Sequence, residues 1–291
     1  MHAQTTYHAL FGVTLPRSSN RKGIPLKSHE KSFFVLFGLL VLATATTLEA
    51  LPFRNQETST SIGQRKGEED EMPVADFVLQ EPIDPQERAL RQARGSRYNR
   101  GQEPIAELAL GTEPLPLNNH WWWGLPALPA SKSEAILVGA VVGAQAYLSS
   151  DKSGIYSEFR ININEVLKNE SNAMLVSGGE VIAERLGGIV RFPSGRRQRY
   201  STAQQGMPIV GRKYLFFLKC NGSGKDFSLL TGYELRDGRV LPLDGYGSKG
   251  EHAIPSFTKF EGMDEANFFK AVSDAISNPS QDLFEKGKRN R

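Results

Sequence analysis

The segment from Arg185 to Tyr200, RLGGIVRFPSGRRQRY, holds five arginines in sixteen residues, with hydrophobic residues between them. A guanidinium stays charged at physiological pH, and its planar donors match carboxylate, phosphate and similar oxyanions. The turn residues Pro193 to Arg196 predict that the flanking residues form a protruding hairpin. The pattern predicts an anion-binding surface with these candidates: Arg185, Arg191, Arg196, Arg197, Arg199 and Arg212. In the alternative interpretation, the arginines only keep an exposed loop in solution.

Aromatic residues near the arginines are candidates for stacking on a ligand. HWWWG (120–124) places three tryptophans side by side, and Tyr200 ends the arginine segment. Three adjacent side chains cannot all face the same way. The cluster could pack across the mouth of a core, contact lipid headgroups or stack on carbohydrate. The candidate contact residues are Trp121, Trp122, Trp123 and Tyr200.

The sequence carries no recognisable pattern of a catalytic nucleophile or phosphate loop. Ser149 and Lys152 have the Ser-x-x-Lys spacing but lack its partner motifs, and NGSGKD (221–226) departs from the phosphate-loop pattern. The carboxylates Glu180 and Glu184 would share one face of a strand, which we interpret as a solvated face. The sequence therefore predicts no catalytic residue.

Metal and disulfide chemistry are also unsupported by the residue types. The exported region holds His120 and His252, far apart in sequence, and Cys220 is the only cysteine of the chain. A zinc site normally needs several such ligands at close spacing, and a disulfide within the chain needs two cysteines. We therefore expect no metal and no cofactor.

The N-terminal region has the features of an export signal. The apolar run FFVLFGLLVLATA (33–45) follows a basic region and ends in the small residues Ala43 and Ala45. It predicts a signal peptide or membrane anchor over residues 1–50, with the rest of the chain periplasmic or extracellular. Export and the small net charge of +3 argue against a nucleic-acid partner.

Residues 51–130 are predicted to form a flexible linker, because residues 51–117 are rich in Glu, Gln, Arg, Pro and Gly and poor in aromatic and β-branched residues. A short helix over 85–94 is expected inside it. Asp84 is a suitable N-cap, Glu87 completes a capping box, and Gly95 can end the helix.

Residues 131–250 predict a small antiparallel OB-like β-barrel, so that the fold class is all-β with one C-terminal helix. AILVGAVVGAQAYL (135–148) is a long apolar run with glycines suited to bends, and EFRININ (158–164) alternates apolar and polar residues. Further strands, at 179–186, 213–218 and a hairpin over 227–243, make a closed barrel the economical arrangement. Residues 251–291 are expected to form that helix, capped by Asp264, and a basic tail.

Three segments, SEAILVGAVV, YSEFRININEVLKN and GMPIVGRKYLFFL, resemble the OB-type barrel of the netrin and metalloproteinase-inhibitor class and of uncharacterised exported bacterial proteins like it. The resemblance covers roughly residues 133–245 and implies the fold. Inhibitors of that class bind the protease metal through an N-terminal cysteine, which this chain lacks, so the resemblance does not imply inhibition.

These observations predict a non-enzymatic exported binding or interaction module of the cell envelope. Its expected partner is an anionic envelope polymer or lipid, or an envelope protein, contacted through the basic hairpin. An envelope hydrolase with an unrecognised site and a purely structural envelope protein are the alternatives.

Overall fold

The computed structural model describes residues 72–79, 81–118, 121, 123–222, 226–246 and 254–279. The predicted signal or anchor segment, Trp122, both histidines of the exported region and the basic tail lie outside the described residues. Within the described part of the chain, no helix combines the length and the apolar character needed to cross a membrane.

Nine strands and three helices are found in the described residues. In chain order they are β1 (Val74–Asp76), α1 (Pro85–Ser96), β2 (Ala135–Leu148), β3 (Ile155–Asn169), β4 (Glu180–Leu186), β5 (Gly188–Arg191), β6 (Arg197–Tyr200), β7 (Lys213–Cys220), β8 (Asp226–Arg236), β9 (Arg239–Pro242), α2 (Pro255–Thr258) and α3 (Glu265–Ser277).

Five strands close into a barrel. Strand β2 pairs antiparallel with β3 and β7, β3 pairs with β4, and β7 pairs with β8. A short parallel pairing of β4 with β8 completes the ring, and β9 extends the sheet beyond β8. The prediction of an all-β fold, in which a small barrel is followed by one C-terminal helix, is confirmed.

The glycines of β2 allow the strand to curl around the barrel. A Cβ atom at Gly139 would lie 2.8 Å from the carbonyl oxygen of Asn162, and the pairing with β3 shifts register next to both Gly139 and Gly143. Local bulges of this kind bend a strand and increase its twist. At the β8–β9 hairpin, Asp237 and Gly238 both adopt positive φ, as a two-residue turn requires.

Two apolar clusters stabilise the barrel and its helix. The interior is filled by alternating residues such as Phe159, Ile161 and Phe216, all fully buried. On the outside of the barrel, Phe268 and Val272 of α3 pack against the second cluster. As predicted, Asp264 caps α3, accepting hydrogen bonds from the backbone N–H groups of the first turn.

Residues 72–79 and 81–118, which we call the wrap, lie against the barrel. Strand β1 pairs in parallel with β5, and β5 pairs with β6 in a separate three-stranded sheet. The wrap contributes Ala75, Ile105 and Leu117 to a third apolar cluster. This differs from the expectation of a flexible linker. Composition alone does not show that the polar residues of this segment find partners on the barrel.

The helix expected over 85–94 is present and is capped by Asp84 as predicted. It continues to Ser96, however, so Gly95 does not end it. Gly95 is buried, and a Cβ atom there would lie 2.8 Å from Ser150 Oγ. The glycine therefore permits close approach of the helix to the barrel.

Candidate functional site

The basic hairpin, residues 188–200, carries its arginines on one face. Strands β5 and β6 pair so that Arg191 lies opposite Arg197 and Ile189 lies opposite Arg199. In β6, Arg197 and Arg199 are exposed, whereas the alternate residues Gln198 and Tyr200 are buried. Because directly opposed residues project to the same face of a sheet, Arg191, Arg197 and Arg199 share the outward face.

Like charges directly opposite each other destabilise a strand pair unless a counter-charge is near. Asp76 of β1 supplies one, since it lies beside Arg191 in the parallel pairing. Its carboxylate accepts hydrogen bonds from Arg191 Nε at 2.5 Å and Nη2 at 2.9 Å. These contacts lower the pKa of Asp76 below its ordinary value. Asp76, Arg191 and Arg197 therefore lie side by side across the three strands, so that one carboxylate is followed by two guanidiniums.

Arg196, at the turn, meets a second carboxylate of the wrap. Its Nη1 lies 3.3 Å from Glu107 Oε1 and donates a 2.6 Å hydrogen bond to the carbonyl oxygen of Leu108. Ser194 of the same turn donates its hydroxyl to Glu107. No ion-pair partner of Arg197 lies among the residues that the structure describes.

The other two candidate arginines do not join this face. Arg185 is buried and forms a bidentate pair with Asp244, at 2.8 and 2.9 Å. It also donates to the carbonyl oxygen of Leu230, and Asp244 accepts from Thr231. Arg212 pairs with Glu234 of β8 at 3.2 Å, in the sheet of the barrel. Arg185 is thus placed as an internal support of the barrel.

Of the two described tryptophans of the cluster, Trp121 packs against the protein and Trp123 is exposed. Trp121 stacks on Phe257 with ring centroids 5.4 Å apart, and the Arg185 guanidinium lies over its ring at 6.0 Å. Its indole N–H donates to the carbonyl oxygen of Ala203 at 2.7 Å. Trp123 is 66% exposed. Trp121 therefore has a packing role, and Trp123 lies at the protein surface.

Tyr200 is placed inside the fold and not on the ligand-facing side of the hairpin. It belongs to the third apolar cluster, and its hydroxyl donates to Gln198 Oε1 at 3.2 Å. Because alternate residues of a strand face opposite sides, Tyr200 cannot share the outward face of Arg197 and Arg199.

A cluster of charges that the sequence interpretation missed joins the wrap to the barrel. We call it the clasp, and its members are Arg94, Arg97, Tyr98, Glu158, Glu184 and Asp226. Arg94 donates to Asp226 from Nη2 at 2.6 Å and from Nε at 3.0 Å, and to Glu158 at 3.2 Å. Arg97 donates to Glu184. Tyr98 also donates to Glu184, at 3.0 Å.

Burial dominates the electrostatics of the clasp. It raises the pKa of Glu158 and Glu184 above the ordinary range, although the arginines act in the opposite direction. The neighbouring carboxylates raise the pKa of Arg94, against the effect of its own burial. Two arginines thus face three carboxylates in the clasp, and their attraction does not outweigh the burial of Glu158 and Glu184.

Glu184 corrects the interpretation of a solvated strand face. Glu180 is exposed, but the Glu184 side chain is fully buried, because Arg97 and Tyr98, which follow α1, contact it there. A signal in the wrap could have shown this contact: arginine recurs every third residue in the sequence, at Arg88, Arg91, Arg94, Arg97 and Arg100. Residues three apart are neighbours on a helix, so such a series gives the helix a cationic stripe that needs carboxylates opposite it.

The motifs weighed for catalysis have other roles in the structure. Ser149 donates its hydroxyl to Asp151 at 2.7 Å, and Lys152 lies over the ring of Phe77. In the described ranges, no group of three His, Cys, Asp or Glu side chains converges in a way that could hold a metal ion.

Comparison with known proteins adds no assignment to these sites. No family model matches the chain, and no curated protein matches it.

Proposed function

We propose that this protein is an exported, non-enzymatic binding module of the cell envelope that holds an anionic glycan on the outward face of the basic hairpin. The observation that carries the proposal is the direct opposition of Arg191 and Arg197, both exposed, on paired strands. Such an arrangement costs stability without a counter-charge. Asp76 offsets the charge of Arg191, but the row still holds two guanidiniums for one carboxylate, so an anionic ligand would supply the second counter-charge.

The geometry of β6 favours an extended ligand with repeated charges. Arg197 and Arg199 project to the same side of one strand, about 7 Å apart at the backbone. Arg191 adds a third cation on the neighbouring strand. Three guanidiniums grouped on two neighbouring strands match a polymer bearing successive carboxylates or sulfates better than a single small anion.

The proposed location outside the cytoplasm depends on the apolar segment 33–45 and its basic flank. A barrel of the OB type, as in the netrin-like class that the sequence resembles, often binds extended ligands across its strands. Here the proposed contact lies on the separate sheet of β1, β5 and β6, which the barrel holds in place through β5 and the third apolar cluster.

The direct test is to replace Arg197 and Arg199 together by serine. We expect salt-sensitive retention on immobilised heparin to fall, because the slope of binding against salt reports the number of ion contacts. The matched control is Arg160→Ser with Arg239→Ser, which removes two exposed arginines away from the hairpin. Equal retention of the test variant and the wild type would overturn the proposal. Binding to anionic lipid vesicles but not to the glycan would redirect it to a lipid surface.

A further inference from the structure

The wrap supplies two carboxylates that pair with arginines of the basic hairpin. Asp76 pairs with Arg191, and Glu107 pairs with Arg196. Both residues come from a segment far from the hairpin in sequence. An anionic ligand that engages all four arginines must therefore compete with the wrap for two of them.

The wrap is held in a way that differs from the packing of the barrel. Helix α1 buries only Gly95, and its contact with the barrel consists mainly of the charged clasp. The wrap also leaves several large apolar side chains exposed: Val78, Leu79, Ile83, Leu90, Leu110 and Leu115. Segments with few buried apolar contacts open at a lower free-energy cost than the core of a fold.

We propose that the wrap is a displaceable cover of the anion-binding hairpin, and that ligand binding and wrap release are coupled. This inference rests on the proposed function and specifies its regulation. In the closed form, Asp76 and Glu107 screen Arg191 and Arg196, and the clasp holds α1 in place. In the open form, the hairpin presents four arginines to an anionic glycan. A ligand that prefers the open form shifts the protein toward it by its difference in affinity for the two forms.

A disulfide between the wrap and the barrel tests this coupling. Gly95 of α1 lies against Ser150, close enough that a Cβ atom at Gly95 would be 2.8 Å from the Ser150 oxygen. We therefore choose Gly95→Cys with Ser150→Cys, in a Cys220→Ser background. Oxidation ties α1 of the wrap to the barrel and so resists release of the wrap, and a reductant removes this tie in the same protein sample.

The measurement is heparin affinity as a function of salt for the oxidised and the reduced form. We expect tighter binding by the reduced form, with a salt dependence steeper by about two ion contacts, since Arg191 and Arg196 become available. Equal affinity and equal salt dependence of the two forms would overturn the inference.

A second variant keeps the test informative if the lock disturbs the helix. Asp76→Asn with Glu107→Gln removes the screening charges, and we expect it to bind more tightly even when the wrap is locked. The matched control is Glu103→Gln with Glu113→Gln, two exposed glutamates elsewhere in the wrap. If the screening variant binds more tightly but locking has no effect, the acids are a fixed shield and the cover is disproved.

The two proposals fail in different ways. If the Arg197 and Arg199 variant loses binding while the lock has no effect, the binding function stands and the cover does not. If that variant binds like the wild type, both proposals are wrong.

Discussion

The barrel and the wrap are held by different forces. The barrel encloses a continuous apolar interior, in which residues such as Phe159 and Phe216 are fully buried. The wrap follows the outside of this barrel and meets it mainly through ion pairs and hydrogen bonds, with only a small apolar cluster. The barrel therefore depends mainly on apolar burial, and the attachment of the wrap depends more on charged contacts.

Two ion pairs differ strongly in how much of their side chains is exposed to solvent. The side chains of Arg185 and Asp244 are 1% and 0% exposed, whereas those of Arg191 and Asp76 are 55% and 42% exposed. Removing one partner of a buried pair leaves an uncompensated charge inside the protein. The exposed pair is screened by water, so its loss costs little stability. A similar contact thus supports the fold in one place and tunes the surface charge in another.

The largest effect is expected at the buried pair. Asp244→Ala leaves Arg185 buried without its carboxylate and should lower the free energy of unfolding by about 3–5 kcal/mol. Urea denaturation followed by tryptophan fluorescence measures this loss. Asp237→Asn, in the β8–β9 turn, is the control and should change stability little, because asparagine tolerates positive φ. A loss below about 1 kcal/mol for Asp244→Ala would contradict the assigned role.

The clasp should give an intermediate effect confined to the wrap. Arg94→Gln removes charged hydrogen bonds to Asp226 and Glu158, each worth about 1.5–3 kcal/mol. We expect faster hydrogen exchange in α1, with the barrel strands unchanged. Arg88→Gln, which breaks exposed contacts within the wrap to Glu81 and to the carbonyl oxygen of Pro82, serves as the control. Equal acceleration in α1 and the barrel would show that the two regions do not open separately.

The pH dependence of stability should show the burial of the clasp carboxylates. Glu158 and Glu184 have pKa values raised above 4.5, mainly by desolvation, so the folded protein binds protons more tightly than the unfolded chain. Their contribution is complete below the unfolded pKa and is lost as pH rises through the folded pKa. The wild type should therefore lose stability relative to Glu158→Gln with Glu184→Gln as pH rises from 4.5 toward neutrality. Unfolding free energies across this range test the sign, and a relative gain would contradict it.

The smallest effect on stability is expected at the surface. Asp76→Asn should change the free energy of unfolding by no more than about 1 kcal/mol, because the Asp76–Arg191 pair is exposed. The same denaturation experiment compares it with Asp244→Ala. A loss as large as that of the buried variant would remove the distinction between the two kinds of ion pair.

The barrel could be predicted in detail because its signals are local. Three patterns predict local backbone structure from neighbouring residues: the apolar alternation in EFRININ, the long apolar run of β2 and the Asp237–Gly238 turn. The structure confirms the two strands and the turn. The C-terminal helix follows from its cap and its apolar spacing in the same way. Such patterns require no knowledge of distant partners.

The candidate site was only partly predictable. The sequence placed Arg191, Arg196, Arg197 and Arg199 on one hairpin, and the structure confirms that placement. It did not separate Arg185 and Arg212 from this group, since their partners Asp244 and Glu234 come from other strands. It also assigned Glu184 to a solvated face, because the arginines that bury it lie in a segment of linker-like composition.

The sequence by itself determined the strands, the turn residues and the terminal helix, since backbone geometry and side-chain alternation depend on near neighbours. Tertiary structure alone decided which charges are exposed and which are neutralised. Arg94 and Asp226 are 132 positions apart, and Asp76 and Arg191 are 115 positions apart. An ion pair depends on distance and burial in space, and neither quantity is contained in the spacing of residues along the chain.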